Sequence, residues 1–328
     1  MIDTVALLLA DRSPSLRLRA LVEVDGASLD DPEVVALAEE IPASDEVRRV
    51  LAETGDRARD LSFSLSRLAH LGLRRGHPVV DELVERVFAM QRADGSWLAE
   101  AAWRGAAPEE GYKWRPLQTA IPLRGICATG YATDPRAERA FEWLLAHRLD
   151  DGTWVYGQAG VQKPGAVAGY RRLPESDGCR ATTIGALACL AHHPERRSTR
   201  DARAPLDIVL RRDTREESTV GFEVSRLLGV ERPRGFATFY ARFDLAFVLE
   251  LASRIGASAD DARVADLLAF LDGRRGAHGL WEHPAHPHLT RWLTLEILAS
   301  RRRIESGDWS GTDRLAHLRP YPTRRKRH

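Results

Sequence analysis

The stretch Met90-Gln91-Arg92-Ala93-Asp94-Gly95-Ser96-Trp97 closes a run of apolar residues at helical spacing and breaks it with a glycine, followed two positions on by tryptophan. The same break recurs as Leu149-Asp150-Asp151-Gly152-Thr153-Trp154 and as Gly276-Ala277-His278-Gly279-Leu280-Trp281. Glycine supplies the left-handed turn after a helix, and the tryptophan is expected to fold back over the helix ends. A supersecondary unit that repeats in this way signals stacked helical hairpins. Three unrelated glycine caps would not share a tryptophan at a constant offset.

Working outward, helical periodicity dominates the chain. Val34, Leu37, Ala38 and Ile41 share one face; Leu61, Leu65 and Leu68 another; then Val80, Leu83, Val84 and Val87; Phe141, Leu144 and Leu145; Ile184, Leu187 and Leu190; Leu245, Val248, Leu249 and Ala252; and Val264, Leu267, Leu268 and Leu271. Ser13-Pro14, Asp31-Pro32 and Asp134-Pro135 read as helix starts, a capping side chain followed by proline at the first helical position. Alternating strands are absent, and roughly ten to twelve helices are expected. Gly157 to Ser176 reads as a long loop, Pro194 to Pro205 as a charged surface connection, and His192-His193-Pro194 as a solvated helix end.

Composition narrows the function classes. The 328 residues carry 48 basic and 47 acidic side chains, a net charge of +1, which does not support a cationic surface that gathers nucleic acid. Only three of the basic residues are lysine: Lys113, Lys163 and Lys326. Cys127, Cys179 and Cys189 are no disulfide framework. No run approaches 18 apolar residues, so stable membrane insertion is not expected. The first residues lack a basic n-region, and Asp11 and Arg12 follow early, so a cytoplasmic location is expected. The Gly-x-x-x-x-Gly-Lys, Gly-x-Gly-x-x-Gly and Gly-x-Ser-x-Gly motifs are absent.

Gln91 to Trp97 resembles the QW motif of squalene–hopene cyclases and of the related protein prenyltransferase β-subunits; the other two turns lack the glutamine. Gly235-Phe236-Ala237-Thr238-Phe239-Tyr240 with Asp244, the segment Thr290 to Leu295, and Ser13 to Leu21 are similar to bacterial proteins with prenyltransferase and squalene oxidase repeats. The resemblance implies an all-α fold, an α/α toroid of up to six helical hairpins around a central cavity. Residues 1–318 would form one domain, with residues 1–60 either within the ring or peripheral to it, and residues 319–328 a basic tail. It also implies an apolar small-molecule substrate, isoprenoid-like or polyketide-like, in specialised metabolism. It leaves the oligomeric state open.

The acid motif of that family, Asp-x-Asp-Asp, is missing; Glu175 to Thr182 stands in its place, so squalene-type protonation is not expected. The class I metal pattern Asp-Asp-x-x-Asp is missing too. The same segment matches the Asp-Gly-Cys of prenyltransferase β-subunits, which implies Zn²⁺ held by Asp177 and Cys179 with a later histidine. Ungapped, that histidine falls on Thr290; His288 is the nearest candidate, with His286 and His283 behind it. A thiolate, a carboxylate and an imidazole suit zinc and leave a position for substrate or water. Equally, Cys179 is a small buried residue and Asp177 a helix cap. Arg171 falls where the family binds diphosphate, although Pro174 replaces its usual basic partner, and Arg180 is a second candidate for an anionic group. Tyr112, Trp114, Tyr240 and Trp292 would shape the cavity or stabilise a cation. Asp244 reads as a mid-helix acid among apolar residues, which must be paired or protonated. Asp177 and Asp244 are therefore the candidate general acids of a metal-free cyclase. A non-catalytic toroid, serving as ligand carrier or scaffold, is the remaining reading.

Overall fold

The computed structural model describes residues 4–98, 116–155, 173, 176–211, 218–231 and 243–311. The regular elements among these residues are helices, apart from two short parallel strands, β1 (Ser218–Thr219) and β2 (Phe243–Asp244).

Outer helices alternate with inner ones. The inner set is α5 (Ala58–His70), α7 (Pro116–Ala128), α9 (Arg180–Leu190), α12 (Leu245–Ile255) and α14 (Thr290–Glu305); each packs on the next, α5 on α7, α7 on α9, α9 on α12, α12 on α14. Behind them lie α6 (Pro78–Phe88), α8 (Pro135–Ala146), α10 (Arg200–Leu210) and α13 (Ala262–Asp272). At the N-terminal side come α1 (Thr4–Leu9), α2 (Pro14–Arg19) with its π-helical continuation Ala20–Asp25, α3 (Pro32–Glu40) and α4 (Asp45–Ala52). The π segment packs on α14. Arg19 joins the ends of the ring: its Nη1 donates to Glu296 Oε1 on α14 at 2.6 Å and to the His70 carbonyl on α5 at 3.4 Å.

The three Gly-x-Trp turns are one structure. Gly95, Gly152 and Gly279 have φ of +90°, +88° and +75°. Each indole Nε1 donates to a carbonyl ten residues back: Trp97 to Val87, Trp154 to Leu144, Trp281 to Leu271, at 2.9, 2.7 and 2.8 Å. Each tryptophan backbone N–H donates to a threonine hydroxyl on the following inner helix, Thr119, Thr183 or Thr294. Every turn thus ties an outer helix to the next inner helix, and the buried indole supplies roughly 150–250 Å² of apolar contact. At the first turn Gln91 Nε2 also donates to the carbonyls of Gly95 and Arg136, both at 2.9 Å.

The helix starts follow the sequence. Ser13, Asp31 and Asp134 cap α2, α3 and α8 with their side chains, with proline next in each case. Two boundaries differ. α10 begins at Arg200, capped by Thr199, so the connection expected up to Pro205 is shorter and that proline lies inside the helix. Asp244 stands at the N-cap of α12, not within a helix. Inner helices α7 and α9 are buried on nearly every side, which removes the amphipathic pattern their sequences would otherwise show. Where α5 meets α7, the Ser62 hydroxyl enters the ladder of α7, donating to the Ile121 carbonyl and accepting from Gly125 N–H at 2.6 and 3.0 Å.

Candidate functional site

A cleft of about 650 Å³ lies between the segment before α2, α4, α5, α14 and a short helix, α11 (Phe222–Leu227). Its floor is apolar: Leu71, Leu227, Leu228, Leu289 and Trp292. It is also lined by charges of both signs, Arg12, Arg48 and Arg49 with Asp11, Glu40, Asp45 and Glu46, and Arg48 pairs with Asp45. Trp292, buried at the start of α14, stacks obliquely on His70 with ring centroids 4.9 Å apart. His288 lines this cleft and also a neighbouring hollow of about 530 Å³ beside Arg291 and Glu282. The sequence reading found Trp292 and His288; it missed α4 and α11, whose residues supply much of the wall.

α11 is held in place by buried polar groups. Asp244 accepts from the backbone N–H groups of Gly221 and Ala246 through Oδ1, at 3.0 and 3.1 Å, and of Glu223 through Oδ2 at 2.7 Å. Burial pushes its carboxyl up to about 6, against these three donors that favour the anion. Glu223 accepts from Arg124 Nη2 at 2.5 Å and from Arg226 Nη1 at 2.9 Å. His283 Nε2 lies 2.9 Å from the Gly221 carbonyl and 2.8 Å from Ser225 Oγ, while its Nδ1 accepts from the N–H groups of Ala285 and His286. Nδ1 as acceptor places the proton on Nε2, and burial lowers the imidazole's pKa. His193 is built alike: Nδ1 accepts from Glu195 and Arg196 N–H, and Nε2 faces Glu138 at 2.7 Å. It is buried, contrary to the solvated end expected. Both histidines precede proline, and this His-Pro turn is the signal the sequence reading passed over.

The expected zinc donors do not converge. Asp177 is exposed. Cys179 is fully buried at the N-cap of α9, its N–H donating to the Trp154 carbonyl at 2.7 Å. His288 is exposed on the cleft wall, and among the described residues no group of three or more His, Cys, Asp or Glu side chains could hold a metal. Arg180 is buried in the first turn of α9. Tyr112, Trp114, Arg171 and Tyr240 lie outside the described residues.

Near the C-terminal ends of α5, α7 and α12, a further small and polar hollow of about 40 Å³ is lined by Arg19, His70, Arg124, Glu250, Arg254 and Glu296 among others. Leu227 of α11 reaches it, and Arg67 Nε on α5 donates to the Leu227 carbonyl at 3.1 Å. All three cysteines are buried and free. Among the described residues, no helix is long and apolar enough to cross a membrane.

No family model matches the chain. A stretch of 58 residues, 18% of the chain, is 34% identical to the squalene-hopene cyclase of Schizosaccharomyces japonicus, and spans only 8% of that protein. Among solved structures, the chain is similar to the type II terpene cyclase MstE from Scytonema. Two complexes of substituted forms with geranylgeranyl dihydroxybenzoate align over 82% of this chain and 77% or 78% of theirs, at 15% and 14% identity, with TM-scores of 0.43 and 0.44. A substituted apo form gives 14% identity and 0.44. The chain is thus similar to terpenoid cyclases over a short stretch of sequence and, more loosely, in the course of its backbone.

Proposed function

We propose that the protein is a terpenoid-cyclase-like enzyme acting on an apolar, prenyl-bearing small molecule, and that the cleft between α4, α5, α11 and α14 receives it. The observation that carries this reading is the cleft itself: about 650 Å³, with Trp292 and four leucines among its lining residues. A pocket of that size with an apolar part suits a ligand with a greasy chain and a polar end, and the indole face of Trp292 would favour a developing cation. The QW-like turns and the 58-residue match to squalene-hopene cyclase support the same reading.

Asp177 and Asp244 remain the candidate acids from sequence, but neither is among the residues lining the cleft. Asp244 has both oxygens engaged by main-chain donors; we assign it the anchoring of α11. Incubation with geranylgeranyl dihydroxybenzoate, read by liquid chromatography and mass spectrometry, tests the enzyme reading. A product of unchanged mass and altered retention is expected, because cyclisation by proton addition and loss conserves composition. Saturable binding with the substrate recovered intact would overturn it in favour of a ligand carrier.

A further inference from the structure

Near the C-terminal ends of α5, α7 and α12, among the described residues, four arginines (Arg19, Arg74, Arg124 and Arg254) face two glutamates, Glu250 and Glu296, around the 40 Å³ void. Both carboxylates are engaged: Glu250 Oε1 accepts from Arg254 Nε at 2.8 Å, and Glu296 Oε1 from Arg19 Nη1 at 2.6 Å. Arg124 pairs with Glu223 on α11. Arg74 has no carboxylate among the described residues; its Nη1 donates to the backbone carbonyls of Ala69 and Leu73. Two imidazoles share the void. His192 lines it, and His70 Nε2 is buried without a partner, while His70 Nδ1 lies 3.2 Å from Arg19 Nη1 and 3.3 Å from Glu296 Oε1.

Burial, then the charges of Arg254, Arg124, Arg74 and Arg303, pull the His192 imidazole well below its ordinary range. Burial and Arg19 do the same to His70. Burial is the leading cause of both shifts, with neighbouring guanidiniums adding to it.

We propose that this void is a binding site for a small inorganic oxyanion of the phosphate type, held by Arg74, Arg254, His192 and His70. A water needs roughly 10–15 Å³ on this measure, so the space takes a few waters or one small anion, and no prenyl chain. Arg74 is exposed and His192 half-buried, so solvent reaches the site. Leu227 borders both this void and the cleft, so the anion would sit behind α11. The proposal is independent of the enzyme reading, since it concerns a different space and a different ligand.

The test is a calorimetric titration of the purified chain with inorganic phosphate at constant ionic strength, with gluconate as the balancing anion. Saturable binding is expected in the wild type. Arg74→Gln should weaken it about tenfold or more, the scale of one lost charge-assisted contact; His192→Gln should weaken it several-fold. Arg74→Lys, which keeps the charge, should retain most of the affinity, and Arg86→Gln on the outer surface should change nothing. Absence of saturable binding, or equal affinity in wild type, Arg74→Gln and His192→Gln, would overturn the proposal. So would binding of geranyl diphosphate without binding of phosphate, because the site would then belong to a lipid head.

Discussion

Arg124 Nη2 donates to Glu223 Oε1 at 2.5 Å, and both side chains are buried. The contact fastens α11 to the inner helix α7. Arg226 shares the same carboxylate from the other oxygen. Glu223→Gln removes the charge that the two buried guanidiniums share. It should destabilise the fold by about 3–5 kcal/mol, the scale of a broken buried ion pair. Urea unfolding followed by circular dichroism measures this; a loss below about 1 kcal/mol would show that α11 is not held by charge.

The repeated turns make a second expectation. Gly95 and Gly76 have almost the same φ, +90° and +93°. A Cβ at Gly95 would collide with the carbonyl oxygen of Arg139, whereas one at Gly76 meets nothing within 4 Å. Gly76→Ala should cost only the left-handed backbone strain, about 1–2 kcal/mol. Gly95→Ala should cost more, because the turn must separate from α8. Equal losses in thermal or urea unfolding would mean that the turn does not pack against α8 as described.

Asp244 gives a pH signature. Its folded pKa, raised by burial to about 6, lies above the ordinary value of 3.8. The folded state therefore holds the proton more tightly than the unfolded chain. The stability this contributes is fully present below about pH 4 and is lost as pH rises toward 6, a fall of roughly 3 kcal/mol. The difference in unfolding free energy between wild type and Asp244→Asn should decline across that window. A difference that is flat, or that rises, would show that the three N–H donors outweigh burial.

The sequence exposed the parts of this fold that repeat or alternate. Gly-x-Trp at three places, and the Ser-Pro and Asp-Pro starts, gave the turns and the caps because each depends on adjacent residues. Trp292 was expected to shape the cavity and His288 to hold a metal; in the structure both line the cleft at the start of α14. The placement of α11 was not legible. Phe222–Leu227 is short, and its position depends on Arg124, Asp244 and His283, which lie 99, 21 and 58 or more residues away along its strongest contacts. The charged hollow was hidden for the same reason: Arg19, Glu250 and Glu296 come from three helices, and each alone reads as a surface residue. Cys179 and Asp177 fit a metal pattern by spacing, yet the turn before α9 buries one and exposes the other.

The cleft is the centre of the functional account, and Leu228, half-buried on its floor, is the position that questions it with least damage to the core. Tryptophan fluorescence during titration with geranylgeranyl dihydroxybenzoate should show saturable quenching in the wild type, since Trp292 lies in the cleft wall. Leu228→Glu should reduce the affinity at least about tenfold, the effect of placing a carboxylate on apolar ligand surface, with unfolding unchanged. Equal affinity in the two proteins, or no saturable quenching in either, would contradict the assignment of the cleft as the substrate site.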